Sequence, residues 1–285
     1  NPLGISTLEA ARGIHEIVSQ NMATAAKIHV AEHGKDPRNY AMVAFGGAGP
    51  VHVRGVAKRL YVNTIVCPLG AGVMSAVGLL TAPPAVDFVR SYITRLASVD
   101  WPKVNMMYEE MKHKGLATLK EAGIVAEDVS FTLSADMRYA GQGYEIEVPF
   151  AFEEIFAPPV DELTNSFYQT YEALFDRKVN DVPVEVVNWR LTASGPSPRV
   201  EMNVHTSETQ KLDVAMKGSR QVYYPDVEKY LEAPVYEHYK LFPNAEFSGP
   251  AIVEQRESTT VLGPGDKVRV DPYLNLIIEI KGATS

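Results

Sequence analysis

Twice within its first eighty or so residues the chain runs a short, β-prone apolar stretch into clustered glycines and then into a helix-like segment. The first pass is "YAMVAFGGAGPVHVRGVAKRL" (40–60) and the second is "NTIVCPLGAGVMSAVGLLTA" (63–82). A strand that ends in glycine and feeds a helix is the repeating unit of α/β layers, so this part of the chain is constrained to that class. The same arrangement leaves backbone N–H groups at the start of each helix, where the dipole is positive and anions such as phosphate bind. "GGAG" nevertheless lacks both the G-x-G-x-x-G spacing and the Lys-Ser/Thr of a P-loop. On pattern alone, Gly46, Gly47 and Gly49 read equally as a ligand contact or as a tight packing turn. His52, on the helix that follows, reads more readily as a structural histidine than as a catalytic one. The second turn, "LGAGV" (69–73), could face the same cleft, but plain packing is the better reading.

A long helix is predicted ahead of these turns. Ser6 or Thr7 is placed to cap it, Glu9 lies in its first turn and Gly34 stops it. Its apolar residues Ile14, Ile17, Val18, Met22, Ala25, Ala26 and Ile28 recur at helical spacing, which predicts a packed stripe. "YAMVAF" reads as a buried strand. The α/β segment is expected to span residues 1–90. Residues 91–128 read as a helical connection, centred on the amphipathic stretch that ends at Gly123. From 129 to 285 the pattern turns to alternation: two strands around the "AGQG" turn, a short amphipathic helix at 163–175, a long strand at 182–195, and a small antiparallel β region from Pro234 on.

Composition narrows the function classes. Apolar residues make up 46%, enough for a sizeable core, and a net charge of −8 without a basic block argues against nucleic acid as partner. No apolar run approaches the roughly 20 residues of a membrane-spanning helix, so no membrane role is expected. The single cysteine, Cys67 in "TIVCPL", reads as a buried thiol in a reducing, cytoplasmic compartment.

Three further patterns invite chemical readings. His29, Glu32 and His33 match H-x-x-E-H, which would place two zinc-binding imidazoles one turn apart, yet no third ligand is evident and a solvated helix end is the plainer reading. Asp136, Arg138, Tyr139, Gln142, Tyr144 and Glu145 gather around a glycine turn, with Arg138 and Asp136 expected as a strand-face pair. "GPAIVEQRESTTVLGPGDKV" (249–268) reads as strands and reversals with little chemistry.

In order along the chain, "AFGGAGPVH" (44–52), "GAGVMSAVGLLTAP" (70–83), "DMRYAGQGYEIEVP" (136–149), "VEVVNWRLTASG" (184–195), "PVYEHYKL" (234–241) and "SGPAIVEQRESTTVLGPG" (248–265) resemble the C-terminal region of the hydantoinase A, 5-oxoprolinase and ketone carboxylase family. The resemblance implies half of an actin/hexokinase-like ATPase domain followed by an α+β, β-rich C-terminal domain. It implies that Gly46, Gly47 and Gly49 lie against the nucleotide, with Asn21 and His52 as neighbours. It also implies ATP and Mg²⁺, used to phosphorylate a small carbonyl substrate. A biotin-independent ketone carboxylase is the branch favoured, with ATP-dependent cyclic amide hydrolysis and a non-catalytic assembly module as alternatives. Two departures stand out. No Asp-x-Gly occurs to hold Mg²⁺ and phosphates, so the chain is expected to be inactive alone and completed by an N-terminal half or separate subunit, and by a larger carboxylase or hydantoinase B-like companion. Where the family has a histidine and Tyr-Gly, "FYQTYEALFDR" (167–177) has Tyr171 and Phe175.

Overall fold

A computed structural model describes residues 4–150, 160–177, 179, 182–199 and 211–282. Its contacts cluster into two compact units, residues 1–79 with 201–285, and residues 80–200. The expected α/β class holds, but the strands sort differently from the sequence division at residues 90 and 129.

The first unit opens with α1 (Thr7–Glu32), β1 (Met42–Val43), α2 (Gly49–Leu60), β2 (Thr64–Cys67) and α3 (Met74–Thr81). Helix α1 starts at a capping box: Ser6 Oγ accepts from Glu9 N at 3.2 Å while Ser6 N donates to the Glu9 carboxylate at 2.7 Å. Gly34, at φ +64°, ends it as expected. The buried face of α1 is not the predicted stripe. Ser19 and Ala23 are its buried residues, whereas Ile14 and Ile17 are 67% and 62% exposed. The reason is close helix packing at small residues: a side chain at Gly55 of α2 would come within 3.1 Å of Ser19 Oγ. Strand β1 also departs from expectation, since Tyr40, Val43 and Phe45 are all more than half exposed.

The second unit holds β3 (Ala85–Arg95), α4 (Trp101–Glu121), β4 (Ser130–Tyr139), β5 (Ile146–Phe150), α5 (Val160–Phe175) and β6 (Val184–Ser194). Its antiparallel sheet runs β3-β6-β4-β5. One face buries Leu133, Val148, Trp189 and Leu191 with residues of α4 and α5. Residues 85–95, expected within the first segment and the helical connection, are therefore a full strand of this sheet.

The chain then returns to the first unit with α6 (Leu212–Ala215), β7 (Met216–Tyr224), β8 (Lys229–Glu237), β9 (Glu246–Ser248), β10 (Ala251–Glu254), β11 (Thr259–Leu262), β12 (Lys267–Val270) and β13 (Leu276–Glu279). One four-stranded sheet runs β11-β10-β8-β7, and a five-stranded sheet runs β1-β2-β13-β12-β9. Strand β13 thus lies antiparallel to β2, with Leu276 opposite Cys67, and joins the first and last segments in one core. Arg54 of α2 fastens the helix to the β11–β12 turn. Its Nε donates to Asp266 at 2.6 Å, and the fully buried Asp266 also accepts from Gly263 N at 2.7 Å and Lys281 N at 3.1 Å.

Candidate functional site

The first glycine turn is held at its start and open at its end. Ala44 N donates to Val66 O at 2.9 Å, and Gly46, at φ +85°, donates its N–H to Ala71 O at 2.7 Å. Among the described residues no hydrogen bond uses the N–H groups of Gly47, Ala48 and Gly49. The N-cap Ala48 has no side-chain acceptor to offer, and Pro50 has no N–H. Three successive donors therefore stand free where the dipole of α2 is positive. Space is available too: a Cβ at Gly46 or Gly49 would meet nothing within 4 Å, and one at Gly47 only Glu257 O at 3.6 Å.

The second glycine turn abuts the first through the Gly46–Ala71 bond, so the expected packing turn is also a neighbour of the ligand-turn candidate. Gly70 takes φ +73°, and a Cβ at Gly72 would strike Glu257 Cβ at 2.5 Å and Glu257 O at 2.9 Å. That contact comes from the β10–β11 turn, 255–258, which the sequence presented as bland. Gln255 N donates to Ser258 O at 2.8 Å to close this turn. The Gln255 amide is fully used: Oε1 accepts from Ala71 N at 2.9 Å, and Nε2 lies 3.0 Å from Pro68 O and 2.6 Å from His238 Nδ1. His238 Nε2 lies 2.7 Å from Leu274 O, so the network assigns the proton to Nε2 and leaves Nδ1 to accept. Burial pushes the His238 imidazole down to about 4, which keeps it neutral. Ser258 Oγ reaches both Gly46 O, at 3.3 Å, and Gly47 O, at 3.4 Å. Gln255, His238 and Ser258 escaped sequence reasoning because a lone glutamine, histidine or serine carries no signal of burial.

The other predicted residues make contacts of their own. His52 packs on α1, stacked on His15 at 4.6 Å with Nδ1 3.3 Å from Ser19 Oγ; burial and then the charge of His15 lower its pKa. Asn21 is exposed on α1. His33 Nδ1 is 2.8 Å from His29 O, and among the described residues no group of three or more His, Cys, Asp or Glu could hold a metal ion. Among the described residues the zinc alternative thus has no third ligand. Asp136 pairs not with Arg138 but across the sheet, with Arg190 Nε at 2.7 Å and Asn188 Nδ2 at 2.8 Å, while Arg138 Nε bonds Glu185 at 3.2 Å. Gln142 Nε2 donates to the Tyr171 hydroxyl at 3.1 Å, and Tyr171 packs edge-on to Tyr139 and at a tilt against Phe167 and Phe175. Tyr144 is 82% exposed. Cys67 is buried as expected, its thiol pushed up to about 11 by burial. No helix of the described residues is long and apolar enough to cross a membrane.

Two family descriptions match the chain: "Hydantoinase/oxoprolinase" over residues 1–87 and "Hydantoinase/oxoprolinase C-terminal domain" over residues 97–281. An uncharacterized protein of Methanocaldococcus jannaschii is 32% identical over 97% of this chain and 39% of its own length. The caprolactamase subunit alpha of Pseudomonas jessenii is 26% identical over 95% of this chain and 39% of its own. The acetophenone carboxylase gamma subunit of Aromatoleum aromaticum is 27% identical over 98% of this chain and 39% of its own. Among solved structures, the ATP-dependent caprolactamase of Pseudomonas jessenii superposes with a TM-score of 0.74 at 24% identity, covering 98% of this chain and 41% of that one. Nucleotide-free acetone carboxylase, from work on ATP-dependent acetone carboxylation, gives 0.71 at 22% identity with the same two coverages. These superpositions show the fold, and the chain spans about two fifths of the length of each of these relatives.

Proposed function

The chain belongs to the hydantoinase/oxoprolinase family, and from that premise we propose that it is the nucleotide-contacting part of an ATP-dependent enzyme that phosphorylates a carbonyl oxygen. The observation that carries this is the row of unpartnered N–H groups at Gly47, Ala48 and Gly49, at the head of α2 and beside a second glycine turn. Such donors suit the phosphates of a nucleotide, and phosphoryl transfer asks of the protein chiefly positioning and charge stabilisation. Phosphorylation makes a lactam oxygen a good leaving group once water has added to its carbon; on a ketone it holds the enol, whose carbon bonds to the bicarbonate carbon as the P–O bond to the enol oxygen breaks and the phosphoryl group leaves on a bicarbonate oxygen as phosphate. The Mg²⁺ ligands and the Asp-x-Gly type phosphate contacts are assigned to a part outside these residues, so the chain alone is inactive. Exposed apolar residues on α1, β1 and α3, among them Ile14, Ile17, Val43 and Leu79, support a completing polypeptide. A larger carboxylase or hydantoinase B-like companion and a cytoplasmic setting complete the proposal.

Between substrates, the ketone-carboxylase branch is the one favoured by the sequence. Cyclic amide hydrolysis is kept beside it because a caprolactamase subunit resembles the chain about as well as a ketone carboxylase subunit does. The test uses the complete assembly with Mg·ATP, measuring phosphate release with acetone or acetophenone plus bicarbonate, and separately with caprolactam, hydantoin or 5-oxoproline. Gly47→Val is the site probe: a Cβ there meets only Glu257 O, at an ordinary 3.6 Å, and the expected result is a folded chain whose KM for ATP rises about tenfold or more. Unchanged ATP kinetics in folded Gly47→Val would remove the turn from the nucleotide site.

A further inference from the structure

We propose, resting on the nucleotide reading above, that Ser258, Gln255 and His238 are positioning residues that aim the free N–H groups of the glycine turn at the bound phosphate. A trans peptide is planar, with its C=O and N–H pointing in opposite directions. The Ser258 hydroxyl lies near the carbonyls of Gly46 and Gly47 together, at 3.3 and 3.4 Å. Fixing those two oxygens on the Ser258 side turns the N–H groups of Gly47 and Ala48 the other way, out of the turn. Two of the three free donors are therefore oriented by one buried hydroxyl.

Gln255 acts one step further back. The Ala71 residue it holds is bonded at both ends, its N–H to Gln255 Oε1 and its carbonyl to Gly46 N–H at 2.7 Å. A continuous run of hydrogen bonds thus passes from Leu274 O through His238, Gln255 and Ala71 to Gly46. There is no slack in it, because both donors and the acceptor of the Gln255 amide are engaged. Gly72 lets the same turn close, since any Cβ there would overlap Glu257. The 255–258 turn is in this sense a template for both glycine turns, and its contribution is preorganisation: donors already aimed lose less freedom when the ligand arrives.

The experiment uses the complete assembly and steady-state kinetics with ATP and carbonyl substrate varied in turn. Ser258→Ala removes the hydroxyl with almost no change of volume, Ser258→Thr keeps it, and Gln255→Leu cuts the run at its centre. The expected result is KM for ATP raised about tenfold in Ser258→Ala and in Gln255→Leu, KM for the carbonyl substrate unchanged, and near wild-type values in Ser258→Thr. Val268→Ala, a core change in the same unit opposite Phe247 and Ile278, lowers the melting temperature without moving KM for ATP, which separates positioning from stability. Should Gln255→Leu fail to fold, the serine pair decides alone. A folded Ser258→Ala with KM for ATP within about twofold of wild type overturns this inference and leaves the nucleotide reading standing. An assembly in which the wild-type chain binds no ATP overturns that reading, and this inference with it.

Discussion

Replacing Gly263 by alanine tests whether the first unit is held by one buried ion pair. An ideal Cβ at Gly263 would lie 2.0 Å from Arg54 Cζ and 2.2 Å from both Nε and Nη2, so the guanidinium must leave. It has nowhere near to go, because it is bonded to Asp266 through Nε and to Asp226 through Nη1. Once displaced, it abandons a carboxylate whose side chain is 0% exposed. Breaking a buried pair and stranding one charge costs about 3–5 kcal/mol. Backbone strain does not add to this, since Gly263 is not among the glycines in the left-handed region. Arg54→Ala should cost a similar amount by stranding the same carboxylate. If Gly263→Ala works by expelling Arg54, the double variant should cost little more than Arg54→Ala alone, whereas independent effects would sum to about 6–10 kcal/mol. Equilibrium urea unfolding followed by far-UV circular dichroism, with hydrogen exchange on residues 246–282, is the appropriate assay. Both tryptophans, Trp101 and Trp189, lie in the other unit, so their fluorescence would report the wrong transition. A loss below about 1 kcal/mol for Gly263→Ala, or simple additivity in the double variant, would refute the argument.

Two more outcomes follow from buried groups. Burial pulls His238 from 6.5 down to about 4 in the folded chain, so between those values the unfolded chain takes up a proton that the native one refuses. Stability is fully present above about pH 6.5, falls by about 1.4 kcal/mol per pH unit on acidification, and levels near pH 4 after a loss of about 3 kcal/mol. Urea midpoints taken across that range should show this slope and lose most of it in His238→Asn; an identical slope in the variant would sink the assignment. Cys67, with its thiol raised to about 11, should not react with an aromatic disulfide reagent at pH 8 until the chain is unfolded in urea. Rapid stoichiometric labelling of the native chain would contradict its burial.

Local signals in the sequence translated well, and those that depend on distant partners did not. The Ser6–Glu9 capping box, the left-handed glycines at 34 and 123 and the strand pair around "AGQG" each follow from residues within a few positions of one another. The face buried by α1 does not: helical spacing marks an apolar stripe, but Ser19 and Ala23 are buried because small side chains let α2 approach. Strand β7 was missed because "MKGSRQVYY" is mostly exposed and lacks alternation. At the candidate site the glycines were legible as a turn before a helix. Their backing was not, since what makes Gln255 and His238 matter is a set of hydrogen bonds to Pro68, Ala71 and Leu274, each far away in sequence.

The place of β13 between β2 and β12 has a consequence for synthesis. During translation the strands of the 80–200 unit, paired among themselves from β3 to β6, can close as soon as Ser194 has emerged from the ribosome. Strand β2, made much earlier, keeps one hydrogen-bonding edge open until Leu276–Glu279 arrives to cover it. The nascent chain therefore closes the later-made 80–200 unit before the first one and carries an unpaired strand edge from the making of β2 until β13 arrives, a template for pairing with other chains. Any event that removes or delays those four residues, such as a stalled ribosome, splits the five-stranded sheet at its centre rather than trimming its rim.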